Sequence, residues 1–302
     1  MAPASDSSLD TFSEVGLALH QPLSPWRRIF SQGMTGLGFV LTGLALLPLF
    51  SIVWEIIRQG IGRLSWETLV SLPAPVGMED QPNGIANAIV GTLVMVGLAA
   101  LASVPLGVIT GIFMTEVMKG TTAAASVRFI MVILSSVPTV ILGVFAYGVL
   151  VLTTKTFSAV AGALALSLVM LPIVALTTEE ALKLVPSSYR QASAALGGAR
   201  FQTVFRIILP TALPAITTGA LLAVARAAGE TAPLMFTALF SQFWPEGLMS
   251  PTPSMSVLIY NYSGSPYKEQ NEMAWTAALV LLFMVLISNI LSRLVLKRKS
   301  SD

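Results

Sequence analysis

The chain has 302 residues, 54% of them hydrophobic and only 11% charged. A soluble domain typically carries about 25% charged residues, so this composition argues against a soluble enzyme and points to an integral membrane protein. The net charge of +2 gives no ground for nucleic-acid binding, the absence of cysteine excludes disulfides and thiol chemistry, and the single His20 cannot build a zinc site.

In chain order, residues 1–31 place Asp6, Asp10 and Glu14 ahead of Trp26-Arg27-Arg28. A secretory signal needs a basic start followed by an apolar run, and neither is present. The segment is expected to be a flexible cytoplasmic tail. Six apolar stretches follow, each near the 20 residues or so that a helix needs to cross a bilayer: 32–57, 86–114, 127–152, 157–176, 213–240 and 273–296. Backbone amides cannot stay unpaired in lipid, so runs of this length must be helical. Five of the six contain proline (Pro48, Pro105, Pro138, Pro172 and Pro233), which neighbouring helices can accommodate inside a bundle. Gly107 and Gly111, four residues apart, fit close helix packing. The thirteen methionines read as packing residues.

Basic residues set the orientation. With the N-terminus inside, twelve Lys and Arg residues fall on the cytoplasmic side, among them Lys119, Arg128, Arg190 and Arg200. Four (Arg58, Arg63, Lys155 and Lys268) fall outside, and Arg226 stays in the membrane. Both termini are therefore expected in the cytoplasm, with 297–302 a basic tail. Two long segments, 58–85 and 241–272, lie outside. The second carries Trp244, Tyr260, Tyr262 and Tyr267, residues suited to the membrane interface or to docking an external protein. Glu179-Glu180 reads as a solvated turn after the fourth span.

The internal segment 177–212 is too polar for the membrane and too long for a simple connection. Pro186 punctuates it, and Ser188-Tyr189-Arg190-Gln191 fits a capping box in which serine and glutamine satisfy each other's backbone donors. The alanine-rich run to Leu196 favours helix, and Gly197-Gly198 can end it through a left-handed residue. A second helical stretch, 200–208, is expected to stop near Leu209-Pro210. Its Phe201, Val204, Phe205 and Ile208 recur at helical spacing and form an apolar face. That face must pack under its own bundle or insert into a partner.

The run Gln191-Ala192-Ser193, three residues, Gly197, nine residues, Ile207-Ile208-Leu209-Pro210 resembles the cytoplasmic coupling motif of ABC-importer permeases, E-A-A, three residues, G, nine residues, I-x-L-P. The spacing agrees throughout; Gln replaces Glu and Ser replaces the second Ala. The resemblance implies that Gln191, Ala192, Ser193, Gly197, Phe201, Ile207, Leu209 and Pro210 dock into an ATP-hydrolysing subunit. The chain has no G-x-x-x-x-G-K-[ST] loop, so ATP and Mg are expected on that partner and no cofactor on this chain.

In the fifth span Arg226 sits near the middle of the apolar run, and Glu230, four residues on, is expected on the same helix face. A charge at that depth costs about 3 kcal/mol, so such residues normally face a hydrated route or the bundle interior. Three roles remain open for the pair: a structural bridge, a lining of the substrate pathway, or a gate. The stretch "ARAAGETAPLMFTALF" and the second span, "GIANAIVGTLVMVGLAALASVPLGVITGIFMTE", are similar to the phosphate-specific permease family of ABC importers, PstA type, over roughly 84–296. The resemblance implies an all-α bundle of six transmembrane helices of the type I ABC importer (MetI-like) kind, in which 32–57 is the first helix and 84–296 the transporter domain. It also implies import of inorganic phosphate across the cell inner membrane and no enzymatic activity in this chain. The implied partners are a second, PstC-like permease, two copies of an ATPase subunit, an external phosphate-binding protein and membrane lipid. Another oxyanion (sulfate, molybdate or tungstate) stays open as substrate, as does a structural membrane subunit with no pathway.

Overall fold

The computed structural model describes residues 25–75, 77 and 82–299, with side chains as far as 290. The described residues form helices and connecting loops. They divide between Glu55 and Ile56 into two compact units. In the first, helix α1 (Pro25–Gly60) begins upstream of the expected Gln32 and takes in Trp26, Arg27 and Arg28. The tail expected over 1–31 otherwise lies outside the described residues. Pro48 sits inside α1, and large apolar side chains such as Phe39, Leu47 and Phe50 are exposed, as suits a lipid-facing helix.

The second unit begins with the last residues of α1. Gly60 approaches so closely that an added Cβ would lie 2.7 Å from the Trp275 carbonyl, and its own carbonyl accepts from Thr276 Oγ at 3.0 Å. A short helix, α2 (Trp66–Val70), is capped by Ser65, whose hydroxyl accepts from the Thr68 amide. Helix α3 (Ala86–Ile112) runs into a π turn at Phe113–Val117. Helix α4 (Thr122–Ser136) is followed by α5 (Thr139–Ala146), which continues through a second π turn to Thr154. Helix α6 (Ala159–Lys183) leads to α7 (Ser187–Ala195) and α8 (Arg200–Thr203). Helices α9 (Leu209–Ala228), α10 (Ala232–Thr237), α11 (Met255–Ser263) and α12 (Lys268–Lys299) complete the chain.

Among the described residues, five helical segments are long and apolar enough to cross a membrane, and α4 with α5 makes a sixth only as a bent pair, at 101°. The sequence treats 127–152 as one proline-containing span; the structure breaks it at Pro138. The proline ring disfavours the helical region for the residue before it, and Val137 is extended (φ −67°, ψ 130°).

Small residues let the central helices touch. A Cβ on Gly107 would lie 2.7 Å from Val174 Cβ, and one on Gly111 2.6 Å from Thr178 Cγ2, so α3 and α6 pack against each other along the expected glycine pair. Gly219 of α9 meets Thr177 of α6 in the same way, at 2.3 Å from its hydroxyl. The central core is Met95 and Ala99 of α3, Leu166 and Met170 of α6, Ala223 of α9 and Leu234 of α10. A second cluster joins Ile85, Leu258, Tyr262 and Met273 at the end where α3 and α12 begin. Burial there pushes the Tyr262 phenol above its ordinary value, against a hydrogen bond from Gln242 that acts the other way. Trp244, Tyr260 and Tyr267 of the same segment are exposed. At the opposite end Ile112, Leu182, Val185, Ile208 and Ile216 form a third cluster beneath the connection from α6 to α9.

Candidate functional site

Two regions hold the residues singled out in the sequence: the helix–glycine–helix connection at 184–210, and the fifth span around Arg226.

In the connection, α7 starts two residues earlier than the capping box requires. Pro186 (ψ 141°) is the N-cap and has no side-chain acceptor, so Ser188 lies inside the first turn and makes no capping bond. The end of α7 follows the expectation. Gly197 is left-handed at φ +75°, its amide donates to Ala194 O at 3.0 Å, and the Gly198 amide donates to Ser193 O at 2.9 Å. This is the paired C-terminal bond pattern that a left-handed glycine permits. Ser193 and Thr203 are both buried and share a 2.7 Å hydroxyl hydrogen bond that ties α7 to α8. Gly198 is held so close to Ser193 that an added Cβ would lie 2.5 Å from its Oγ.

The second stretch does not stop at Leu209-Pro210. A π turn at Val204–Ile208 leads straight into α9, giving one helical run from Arg200 to Ala228. Pro210 has no amide hydrogen to give; it sits at the start of α9, where the wider turn absorbs the missing donor. The apolar face divides. Val204 and Ile208 are buried in the third cluster, whereas Phe201 (70% exposed) and Phe205 stay open, their rings 4.4 Å apart. Leu196 (90% exposed) and Leu184 of the same connection are open as well. Gln191, Ala192 and Gly197 are exposed, Ile207 and Leu209 are half-buried, and Pro210 is exposed.

Beneath this surface lies an ion-pair system that the sequence reading passed over. Glu116, in the π turn that ends α3, is 8% exposed. Arg190 of α7 grips its carboxylate with two nitrogens, Nη2 at 2.5 Å and Nε at 3.4 Å. The same guanidinium donates to the carbonyls of Val185 (2.9 Å) and Leu182 (3.1 Å) at the end of α6. Arg200 of α8 donates to the backbone carbonyl of Glu116. One buried acid therefore joins four elements through two arginines. A planar, two-pronged arginine contact fixes geometry as well as charge.

Glu179 corrects the reading of Glu179-Glu180 as a solvated turn. Helix α6 runs on to Lys183, which turns Glu179 into the bundle at 1% exposure. Arg128 of α4 and Lys183 (2.9 Å) both bond to it, while Glu180 remains on the exposed side and pairs with Lys183 at 2.7 Å.

The fifth span is broken where the sequence reading has it continuous. Helix α9 ends at Ala228 and α10 begins at Ala232. In an unbroken helix the ring of Pro233 would clash with the carbonyl four residues back, that of Gly229. Arg226 accordingly occupies the last turn of α9, and Glu230 lies outside the helix. The two still meet, Nε to Oε1, at 3.5 Å, with the arginine side chain 54% exposed and the glutamate 15%. Ser256 at the start of α11 donates to the Glu230 carbonyl at 2.8 Å and steadies the break. Gly143 of α5 also packs against it; a Cβ there would lie 2.6 Å from Pro233 Cα. Along α9 the buried stripe is Ala212, Ile216, Gly219, Ala223 and Ala227. Pro214, Thr218, Leu222 and Arg226, spaced four residues apart, form an exposed row beside that stripe, the open face of α9.

Residues 103–301, more than half of the chain, match the family of binding-protein-dependent transport system inner membrane components. The chain is also 38% identical over 275 residues to the phosphate transport system permease protein PstA of Haemophilus influenzae, covering 91% of this chain and 96% of that one. The chain belongs to this permease family. It is similarly 39% identical over 248 residues to a probable PstA of Methanocaldococcus jannaschii, covering 82% and 86% of the two chains, and 35% identical over 283 residues to PstA 1 of Mycobacterium tuberculosis, strain H37Rv. Among solved structures, the inward-facing MetNI methionine ABC transporter superposes with a TM-score of 0.55 at 20% identity, over 71% of this chain and 94% of that one. An amino acid ABC transporter gives a TM-score of 0.52 at 16% identity, over 71% and 92%. At these identities the likeness speaks for the fold. The permease family explains the all-helical bundle and its membrane setting: this is a multi-pass inner-membrane subunit.

The structure thus brings the eight residues of the motif onto one connection, and Arg226 and Glu230 onto one helix break. Glu116 and Arg190 escaped notice because they are far apart in sequence. The available signal was a lone acid closing an otherwise apolar span, "GIFMTE", since a buried carboxylate needs a cationic partner.

Proposed function

We propose that the chain is a permease subunit of an ATP-driven importer of inorganic phosphate. The observation that carries this reading is the match to PstA permeases along nine-tenths of the chain. An arginine on the open face of α9 agrees with it. In this reading both termini lie in the cytoplasm, where the basic excess falls. A second, PstC-like permease closes the pathway against the open face of α9, and an external phosphate-binding protein delivers the substrate. Two ATPase subunits, carrying ATP and Mg, hydrolyse the nucleotide and grip the surface formed by Leu196, Phe201 and Phe205. Arg226 offers phosphate oxygens the two parallel hydrogen bonds that guanidinium geometry favours. Its single 3.5 Å contact with Glu230 is loose enough to exchange for a passing anion. The test is uptake of radiolabelled phosphate in cells lacking their own phosphate permeases, with and without this chain and its partners. Restored uptake that excess sulfate, molybdate and tungstate leave unchanged is the expected result. Uptake suppressed by one of those anions would reassign the substrate.

A further inference from the structure

We propose that Glu116 is the joint through which movement of the α7–α8 connection reaches the bundle, with Arg190 and Arg200 as its two arms. The proposal rests on the importer reading above. Four observations support it. First, Glu116 occupies a π turn, a local widening that aims a side chain differently from the helix before it. Second, each short helix of the connection reaches the same residue: α7 through Arg190 to the carboxylate, α8 through Arg200 to the carbonyl. Third, α7 and α8 are locked to one another by the Ser193–Thr203 bond and the close seat of Gly198, so they move as one body. Fourth, α3 is in near-contact with α6 at Gly107 and Gly111, so a displacement of the α3 end cannot be absorbed there by slack packing.

Helix α8 is continuous with α9, but α7 has no such continuation, and the apolar face of Val204 and Ile208 beneath the connection is non-directional and would let α7 slide. Arg190 removes that freedom. Its guanidinium is held at once by the carbonyls of Leu182, in the last turn of α6, and Val185, just beyond it, and by the carboxylate of Glu116. A pull on α7 therefore acts on the ends of α3 and α6 together. Glu116 and Arg190 are positioning residues: they touch neither nucleotide nor transported anion.

The experiment uses the complete importer in proteoliposomes and measures phosphate moved per ATP hydrolysed. Glu116→Gln keeps the shape of the side chain and removes its charge. The expected result is ATP hydrolysis within about twofold of wild type and phosphate uptake lowered at least about tenfold. Arg200→Gln, at an exposed position, leaves the Arg190–Glu116 pair intact and is expected to lower the ratio by a smaller factor. A purely structural role would reduce assembly and both activities together and leave the ratio unchanged. A wild-type ratio in an assembled Glu116→Gln complex would overturn the proposal. Should that variant not assemble, an unchanged ratio in Arg200→Gln would overturn it and a lowered one would support it. Wild-type importer that hydrolyses ATP and moves no phosphate would instead overturn the functional reading on which the joint depends.

Discussion

The chain holds ionised groups in two very different ways. At the end carrying the α7–α8 connection, Glu116 and Glu179 are buried and each is held by two cationic residues. At the break between α9 and α10, Arg226 and Glu230 share one long contact with the arginine more than half exposed. Removing one side of a buried pair strands a charge in a poor solvent and costs about 3–5 kcal/mol, whereas an exposed pair contributes about 0–1 kcal/mol. The first arrangement suits parts that must keep their geometry under load, and the second suits a contact that has to open.

The largest separation between the two regions is expected from Arg128→Met with Lys183→Met. That double substitution leaves Glu179 buried without its cations and should lower the stability of the purified complex by about 3–5 kcal/mol, read from denaturant or thermal unfolding. Gly143→Ala comes next. The new methyl would meet the backbone of Pro233 at 2.6 Å, which cannot swing aside, and overpacking of this kind costs about 1–3 kcal/mol. Ser193→Ala removes the hydrogen bond to Thr203 and should cost about 1 kcal/mol. The smallest effect on stability, under about 1 kcal/mol, is expected from Arg226→Gln, together with a loss of phosphate uptake of about tenfold or more. A complex that unfolds as readily with Arg226→Gln as with the Arg128/Lys183 pair changed would erase the distinction and make Arg226–Glu230 a structural bridge.

The spans, the helix–glycine–helix connection and the left-handed Gly197 were all legible in the sequence, because each depends on local chemistry: apolar length, a glycine stop, a periodic face. The breaks were harder to read. Pro105 and Pro172 lie inside continuous helices, whereas Pro138 and Pro233 mark interruptions. Local sequence separates these only in part: Gly229 weakens the helix just where Pro233 would clash, but nothing comparable sets Val137 apart. The missing signal is tertiary, such as Gly143 seated on Pro233. The capping box at Ser188 failed for a related reason. Pro186 already sets the start of α7, and Arg190, the next residue but one after Ser188, is committed to Glu116. The Glu116–Arg190–Arg200 system spans 84 residues of chain and becomes visible only once α3 and the connection are brought together.

The central claim is that the open face of α9 borders a hydrated route whose exposure changes with the nucleotide cycle. The natural absence of cysteine makes single-cysteine labelling direct. Thr218→Cys and Leu222→Cys on the open face, with Ala223→Cys on the buried stripe as control, would be treated with a water-soluble thiol reagent in the assembled importer. Labelling would be compared without nucleotide and with the ATPase trapped. The account predicts that positions 218 and 222 react in one state and are protected in the other, while 223 stays unreactive in both. Positions 218 and 222 as unreactive as 223 throughout the cycle would contradict it.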